Sequence, residues 1–357
     1  MKRLPLAAIL AAFFIFLILE VSVRQSVLLL VGVGMGAALA GARFGFTTGW
    51  RQLIEQRNPQ GVVGQVLLLA LASLAALPLL GQFSELHAAL GPPSVSLLVG
   101  AFVFGLTMQI ADGCGSGTLY KAGLGVPLNM GILPLFALGS FLGSVHLDSW
   151  LALGQMAPIS LTDQLGTSGA LGLTLALLTA VLLATRLWVG AGQTWFNPRW
   201  VMGAVVLAVL ATLNLLLAGQ PWGVVYGFGL WAAKGVVALG LFDPAVNDFW
   251  GQAGNAQRLT QTVLMDVTTI TNIGILGGAL WVSAKAPADS KPLSTQQWVI
   301  GLVAGFVMGY SSRLAFGCNI GAMLSGISTG SLHGWIWVPM AFAGTLMGVR
   351  VRRHYQF

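Results

Sequence analysis

Apolar runs long enough to cross a lipid bilayer make up most of this chain. A membrane-spanning helix needs about 20 largely apolar residues, and prolines or polar residues separate the runs found here. We place eleven of them, at 4–23, 26–42, 61–80, 95–111, 126–146, 169–189, 200–218, 221–240, 261–283, 298–316 and 335–350. The strands of a membrane barrel would alternate in polarity along the chain, so unbroken runs predict helices.

Charge is scarce, as membrane insertion requires. Charged residues are 8% of the 357 residues and hydrophobic residues are 56%, whereas a soluble domain has about 25% charged residues. We therefore expect an all-α, polytopic membrane protein with about 9 to 11 transmembrane helices. The net charge of +7 is scattered over the connections and forms no basic stripe, which argues against nucleic-acid binding.

The helix count conflicts with the distribution of basic residues. Eleven full spans would put the termini on opposite sides, yet both ends are basic, at Lys2–Arg3 and at Arg350–Arg353. Segments 81–94 and 147–168 contain no Lys or Arg, so we place them outside. Short re-entrant half-helices would resolve the conflict, and glycine-rich interruptions mark four places for them: 41–49, 113–125, 235–240 and 317–330.

A motif is duplicated at an offset of 204 residues. Residues 101–117 read AFVFGLTMQIADGCGSG and residues 305–321 read GFVMGYSSRLAFGCNIG, with seven identities that include Cys114/Cys318, the only two cysteines. Interrupted segments at corresponding positions of two halves are typical of transporter sites. We expect one integral membrane domain with an extra N-terminal helix (1–24) and two pseudo-symmetric, inverted halves: 25–190 with the Cys114 motif and 191–357 with the Cys318 motif. A weaker similarity pairs Arg43–Gly49 with Lys234–Val237.

The duplicated turns are the expected substrate site. Two free cysteines in so long a chain make no disulfide framework, and a thiol is a soft, weak donor suited to a sulfur-bearing ligand. Glycines beside each cysteine expose backbone N–H groups, which attract anions. The predicted substrate-binding residues are Cys114, Cys318, Gly113, Gly115, Ser116, Gly117, Gly317, Asn319, Ile320 and Gly321.

Other polar residues near the interruptions are candidates for a pathway. Lys121 and Arg313 would attract an anion or anchor the helices at the membrane surface, and Asp266 would serve the pathway or a helix-packing hydrogen bond. Gly45 and Thr47 lie in the first interruption. No metal or cofactor is expected, because the four histidines lie far from both cysteines; a copper site assisted by Met108, Met308 or Met323 is the weaker alternative. The sequence contains no arrangement of residues typical of an enzyme active site, and we expect that the protein is not an enzyme.

These motifs resemble the YeeE/YedE family of sulfur-compound transporters. The resemblance rests on GCGSGTLYKAGLG from Gly113 to Gly125 and on RLAFGCNIG from Arg313 to Gly321, followed by SLHGW from Ser331, and it extends from about residue 26 to the C-terminus. It implies a multi-pass protein of the bacterial inner membrane that imports thiosulfate or a related sulfur oxyanion. Two cysteine thiols would contact the substrate sulfur in turn at a central constriction.

Two departures and one partner follow from the same resemblance. Gly45 stands where many thiosulfate importers have a third cysteine, and Gln52 replaces an acidic residue. The second motif is similar to the YedE branch, which has been associated with selenium, so a selenium-compound permease is one alternative and a membrane sulfur-carrier or persulfide protein is another. The expected partners are the small anion, membrane lipid and a small cytoplasmic sulfur-carrier protein of the TusA kind.

Overall fold

The computed structural model describes residues 3–284 and 292–357, and almost all of its regular structure is helical. The long helices are α1 (Arg3–Glu20), α2 (Val23–Ala42), α4 (Gln60–Gln82), α5 (Val95–Ile110), α7 (Pro127–Val145), α9 (Leu161–Val189), α10 (Pro198–Ala218), α11 (Val225–Ala238), α13 (Val267–Ser283), α14 (Thr295–Leu314) and α16 (Leu332–His354). The short ones are α3 (Phe46–Gln56), α6 (Gly115–Gly123), α8 (Leu147–Leu151), α12 (Ala253–Thr260) and α15 (Gly326–Ser328), with a π-helix at Asn319–Ser325 and 3-10 turns at Pro244–Val246 and Val263–Met265.

The predicted fold class is confirmed. Nine stretches of helix in the described part of the chain are long and apolar enough to cross a membrane, and α11 and α13 are shorter apolar helices. Together they account for all eleven predicted segments. The protein is an all-α, multi-pass membrane protein.

Three of the apolar segments are broken, each at a predicted glycine-rich interruption. Arg43 separates α2 from α3, Asp112 separates α5 from α6, and Phe316 separates α14 from the π-helix. All three have left-handed backbone, with φ of 48°, 54° and 57°. A residue in this region ends a helix because it turns the chain out of the helical path. The fourth interruption is a helix end, since α11 stops at Ala238.

The weaker repeat is wrong. Arg43–Gly49 spans the turn between α2 and α3, whereas Lys234–Val237 lies inside the continuous helix α11. The Lys234 ammonium donates to the carbonyl oxygens of Leu259 and Gln261, which belong to the connection after that helix. The two segments therefore have neither the same conformation nor the same surroundings.

Close helix packing at glycines holds the broken helices in place. A Cβ added to Gly105 of α5 would overlap the carbonyl oxygen of Ala341 in α16, and one added to Gly309 of α14 would overlap that of Phe136 in α7. Gly105 and Gly309 correspond at the 204-residue offset. Small residues of this kind let transmembrane backbones approach directly, so each cysteine motif is anchored by the same type of contact.

Candidate functional site

Each cysteine stands at the start of a short helix. Cys114 is the N-cap of α6, and Cys318 is the N-cap of the π-helix. Both have extended backbone, with ψ of −169° and −166°. Their side chains are free thiols with relative exposures of 1% and 0%.

The two turns have the same construction. Asp112 and Phe316, which correspond at the offset of 204, carry the left-handed φ, and a glycine follows each of them. A Cβ at Gly113 would lie 2.7 Å from the amide nitrogen of Thr118, and one at Gly317 would lie 2.6 Å from that of Ala322. No real Cβ approaches a backbone nitrogen so closely. Each turn therefore requires glycine before its cysteine.

The thiol sulfurs accept backbone N–H groups of their own turns. The Gly117 N–H donates to Cys114 Sγ and the Ile320 N–H donates to Cys318 Sγ, both over 3.4 Å. Ser116 Oγ lies 3.5 Å from Cys114 Sγ. Each sulfur thus acts as an acceptor within its own turn, and a thiol can also donate its S–H group.

The two cysteine turns meet at Gly115. A Cβ built on Gly115 would lie 3.2 Å from Cys318 Sγ and 3.6 Å from Phe136 Cζ. Gly115 directly follows Cys114, so the first turn presents bare backbone to the thiol of the second. The structure thus brings the predicted residues of both motifs into one buried region.

Asn319 has an unusual position in that region. Its side chain is fully buried, and neither Oδ1 nor Nδ2 has a hydrogen-bond partner among the described residues. The hydroxyl oxygens of Thr118 in α6 and Thr47 in α3 are also buried and have no partner among the described residues. Buried polar groups in native proteins are almost always hydrogen-bonded. These atoms are available to a ligand or to water.

A charged cluster adjoins the Cys114 turn. Asp112 Oδ1 lies 2.8 Å from Arg51 Nη1 and 3.3 Å from Arg352 Nη1, and Oδ2 lies 2.6 Å from Lys121 Nζ. These four side chains come from α3, the turn before α6, α6 itself and α16. Lys121 also donates to the Asp112 carbonyl oxygen. Lys121 is therefore tied to the loop that carries Cys114.

The remaining pathway candidates lie in different surroundings. Gly45 is the N-cap of α3, and the Thr47 carbonyl accepts a hydrogen bond from Gln109 Nε2 (3.3 Å). Asp266 is the N-cap of α13, where Oδ2 accepts the Thr269 N–H over 2.7 Å. The Arg313 guanidinium packs on the rings of Phe249 and Tyr226, 4.8 and 5.8 Å from their centroids.

Sequence reasoning missed the charged cluster as a unit. It placed Arg352 among the basic residues of the C-terminal end and Lys121 among the pathway candidates, and it related neither of them to Asp112. The available signal was Asp112, an acidic residue placed directly before the Gly-Cys pair. Within residues 3–284 and 292–357 no group of three or more His, Cys, Asp or Glu side chains is arranged to hold a metal ion.

The protein is polytopic and helical, and its broken helices meet at a buried region where several polar atoms have no hydrogen-bond partner among the described residues. This architecture is that of membrane transport proteins. The chain belongs to the sulphur-transport family, because the family model described as "Sulphur transport" matches residues 41–347. This family is defined by transport and not by catalysis, which confirms the expectation that the protein is not an enzyme.

Curated relatives agree with the family. The chain is 27% identical to the thiosulfate transporter TsuA of Spirochaeta thermophila over 331 residues, covering 86% of this chain and 93% of that protein. It is 24% identical to the thiosulfate transporter TsuA of Escherichia coli, with 88% and 91% covered. The probable transporter YedE of Salmonella typhimurium is 28% identical over 46% of this chain and 40% of its own length. The predicted resemblance to the YeeE/YedE family is confirmed.

Proposed function

We propose that this protein is a permease of the bacterial inner membrane that imports thiosulfate or a closely related sulfur oxyanion. The observation that carries the proposal is the pair of buried thiols at corresponding turns, which approach each other at Gly115. The two TsuA relatives, both from bacteria and both named as thiosulfate transporters, support the substrate and the membrane.

The thiols contact the terminal sulfur of the anion one after the other. Each sulfur accepts a backbone N–H of its own turn, and each S–H group would donate to the substrate. A soft S–H···S contact suits thiosulfate, whose terminal sulfur is large and polarizable. No bond is made or broken, and neither cysteine is oxidised.

Polar groups around the turns complete the path. The Asn319 amide and the Thr118 hydroxyl, which have no partner among the described residues, would hydrogen-bond the oxyanion end. The first turn of α6 offers the backbone N–H groups of Gly115 and Ser116 at a helix N-terminus, which favours an anion, while the Gly117 N–H donates to Cys114 Sγ. Gly113 and Gly317 keep the two turns tight, and Ile320 and Gly321 line the second one.

Two pseudo-symmetric halves would build this path. Helix α5 packs against α16 as α14 packs against α7, and a short helix follows the break in both α5 and α14. We assign the Cys114 motif to the first half, residues 25–190, and the Cys318 motif to the second, residues 191–357, with α1 outside both. Helix α1 packs mainly against α2 and α13, which supports its separate status.

Basic residues indicate the direction. Arg51 and Arg352 contact Asp112 in the turn before Cys114, and the positive-inside rule puts such residues on the cytoplasmic side. An imported anion then reaches Cys318 before Cys114. The family resemblance supports a small cytoplasmic sulfur-carrier protein of the TusA kind as the recipient of the imported sulfur.

Uptake of labelled thiosulfate by cells that lack other importers tests the proposal. We expect Cys114→Ala and Cys318→Ala each to reduce uptake at least about tenfold, the effect of a contact worth about 1.4 kcal/mol. Met308→Leu is the matched control, because it removes another fully buried sulfur that lies outside the turns. Full transport by both cysteine variants, at equal amounts of protein in the membrane, would overturn the thiol relay.

A further inference from the structure

We infer that Arg51, Lys121 and Arg352 form a binding site for a small divalent oxyanion, with the Asp112 carboxylate as a fixed counter-charge. All three cations lie within 3.3 Å of that one carboxylate. The inference rests on the proposed function, since it assigns the position at which the anion binds after it leaves Cys114. Unlike the thiols, this site recognises the charge and oxygens of the anion and needs no terminal sulfur.

The cluster carries more positive charge than it can neutralise itself. Three cations surround a single anion, which leaves an excess of two positive charges. The nearest other carboxylate in the described ion pairs, Glu55, is already paired with Arg353 at 2.8 Å. Largely buried charge without a counter-charge is costly. A divalent anion would balance the excess.

Unused donors of the cluster remain accessible. The side chains of Arg51, Lys121 and Arg352 are 16%, 15% and 15% exposed, and that of Asp112 is 25% exposed. In hydrogen bonds within the described residues, each arginine uses only Nη1: Arg51 with Asp112, and Arg352 with the Gln109 carbonyl at 2.8 Å. The guanidinium fork presents five donors and binds oxyanions in pairs of hydrogen bonds.

The second cysteine turn has no counterpart to this cluster. Phe316 takes the place of Asp112 and Ser325 takes the place of Lys121 at the offset of 204. The Ser325 hydroxyl donates to the Trp222 carbonyl at 2.6 Å and binds no charged group there. At these two corresponding positions, charged side chains therefore stand beside the first cysteine turn and not beside the second, where the guanidinium of Arg313 packs on the rings of Phe249 and Tyr226.

Asp112 keeps the site weak enough to release its ligand. Its carboxylate competes with the anion for the same three cations, and Lys121 links it to the end of α6. A permease needs such weak binding, because an anion held tightly at the last station would block the path. Removing the Asp112 charge should therefore tighten binding and slow transport.

Binding of labelled sulfate and of labelled thiosulfate to the purified full-length protein tests the inference. We expect Arg51→Gln with Arg352→Gln to weaken the binding of both anions at least about tenfold. The control is Arg350→Gln, because Arg350 lies in α16 with Arg352 but is exposed and has no described ion pair. It should leave binding unchanged. Unchanged sulfate binding in the double variant, or no sulfate binding by the wild type at millimolar concentration, overturns the inference.

Asp112→Asn gives an outcome that misfolding cannot imitate. We expect sulfate to bind about tenfold more tightly, because the competing charge is gone while the side-chain size is kept. Glu55→Gln controls for the loss of a negative charge nearby. Weaker or unchanged binding in Asp112→Asn would contradict the assignment of Asp112 as competitor.

The cysteine variants separate this inference from the proposed function. A Cys114→Ser, Cys318→Ser double variant should still bind sulfate as the wild type does, since the cluster is intact. If it also imports thiosulfate normally, the thiol relay fails and the anion site stands. If it loses sulfate binding, sulfate binds at the thiols and the cluster is not the site.

Discussion

Gly115 lies against Cys318, so that a methyl group on this glycine would stand 3.2 Å from the thiol sulfur. The contact joins two turns that are about two hundred residues apart in the chain. Contacts of 3.0–3.4 Å are tighter than nearly all real Cβ contacts. The gap between the two cysteine turns therefore depends on the absence of a side chain at Gly115.

Gly115→Ala should impair transport more than it impairs folding. Gly115 is the first residue of α6 and has no positive φ, so alanine fits its backbone. The added methyl group presses on Cys318 and narrows the gap through which the anion would pass. We expect thiosulfate uptake to fall about tenfold, an effect of about 1.4 kcal/mol, with a normal melting temperature in detergent.

Gly172→Ala serves as the control for this substitution. Gly172 lies in α9 with open space around the position of an added Cβ. Alanine favours helix there, so uptake and melting temperature should stay at the wild-type values. Normal uptake by Gly115→Ala would show that the two turns are not the constriction.

Gly309→Ala should instead prevent stable folding. The new Cβ would overlap the Phe136 carbonyl oxygen and force α14 away from α7. Rigid backbone on the other side cannot yield as a flexible side chain can, so we expect a loss of about 3 kcal/mol or more. Thermal unfolding in detergent measures it. A wild-type melting temperature would contradict the packing described for both cysteine motifs.

The apolar runs and the glycine-rich interruptions predicted the helices and three of their breaks, because both signals are local. The left-handed backbone of Asp112 and Phe316 at two of these breaks is known only from the structure, since neither residue is a glycine. The charged cluster was not predictable in this way. Its members come from three helices distant in sequence, and only tertiary packing brings Arg51 and Arg352 to Asp112.

Asp266 is a second residue whose role could not be decided from the sequence. The sequence left open a pathway role and a packing role for this carboxylate, since hydropathy alone places it inside an apolar run. In the structure α13 begins at Val267, and the carboxylate accepts the Thr269 N–H at the helix N-terminus. Hydropathy does not report helix starts, which depend on backbone hydrogen bonds.

Substitutions of Asp266 separate the two roles. Asparagine is as good an N-cap as aspartate, whereas alanine costs about 1 kcal/mol. If Asp266 only caps α13, Asp266→Asn should keep both melting temperature and thiosulfate uptake, and Asp266→Ala should melt earlier but still transport. Loss of uptake in the stable asparagine variant would instead indicate that the negative charge serves the pathway.

Asn319→Leu should raise stability while it lowers transport. Both polar atoms of this fully buried side chain lack partners among the described residues, and leucine has nearly the same size. An unsatisfied buried polar group costs about 1 to 3 kcal/mol, so its removal should raise the melting temperature. Uptake should fall because the oxyanion loses a hydrogen-bonding amide.

Asn272→Leu is a comparison for which we expect the opposite change in melting temperature. Asn272 is equally buried and its Oδ1 also has no partner among the described residues, but its Nδ2 donates to the Val224 carbonyl at 2.9 Å. Leucine there leaves a buried carbonyl unpaired and should lower the melting temperature. If Asn319→Leu also lowers the melting temperature, the Asn319 amide stabilises the fold and is not an unpaired group that binds a ligand. If it melts later and transports normally, the anion passes without contacting Asn319. Only higher stability together with reduced uptake fits a polar group kept unpaired for the substrate.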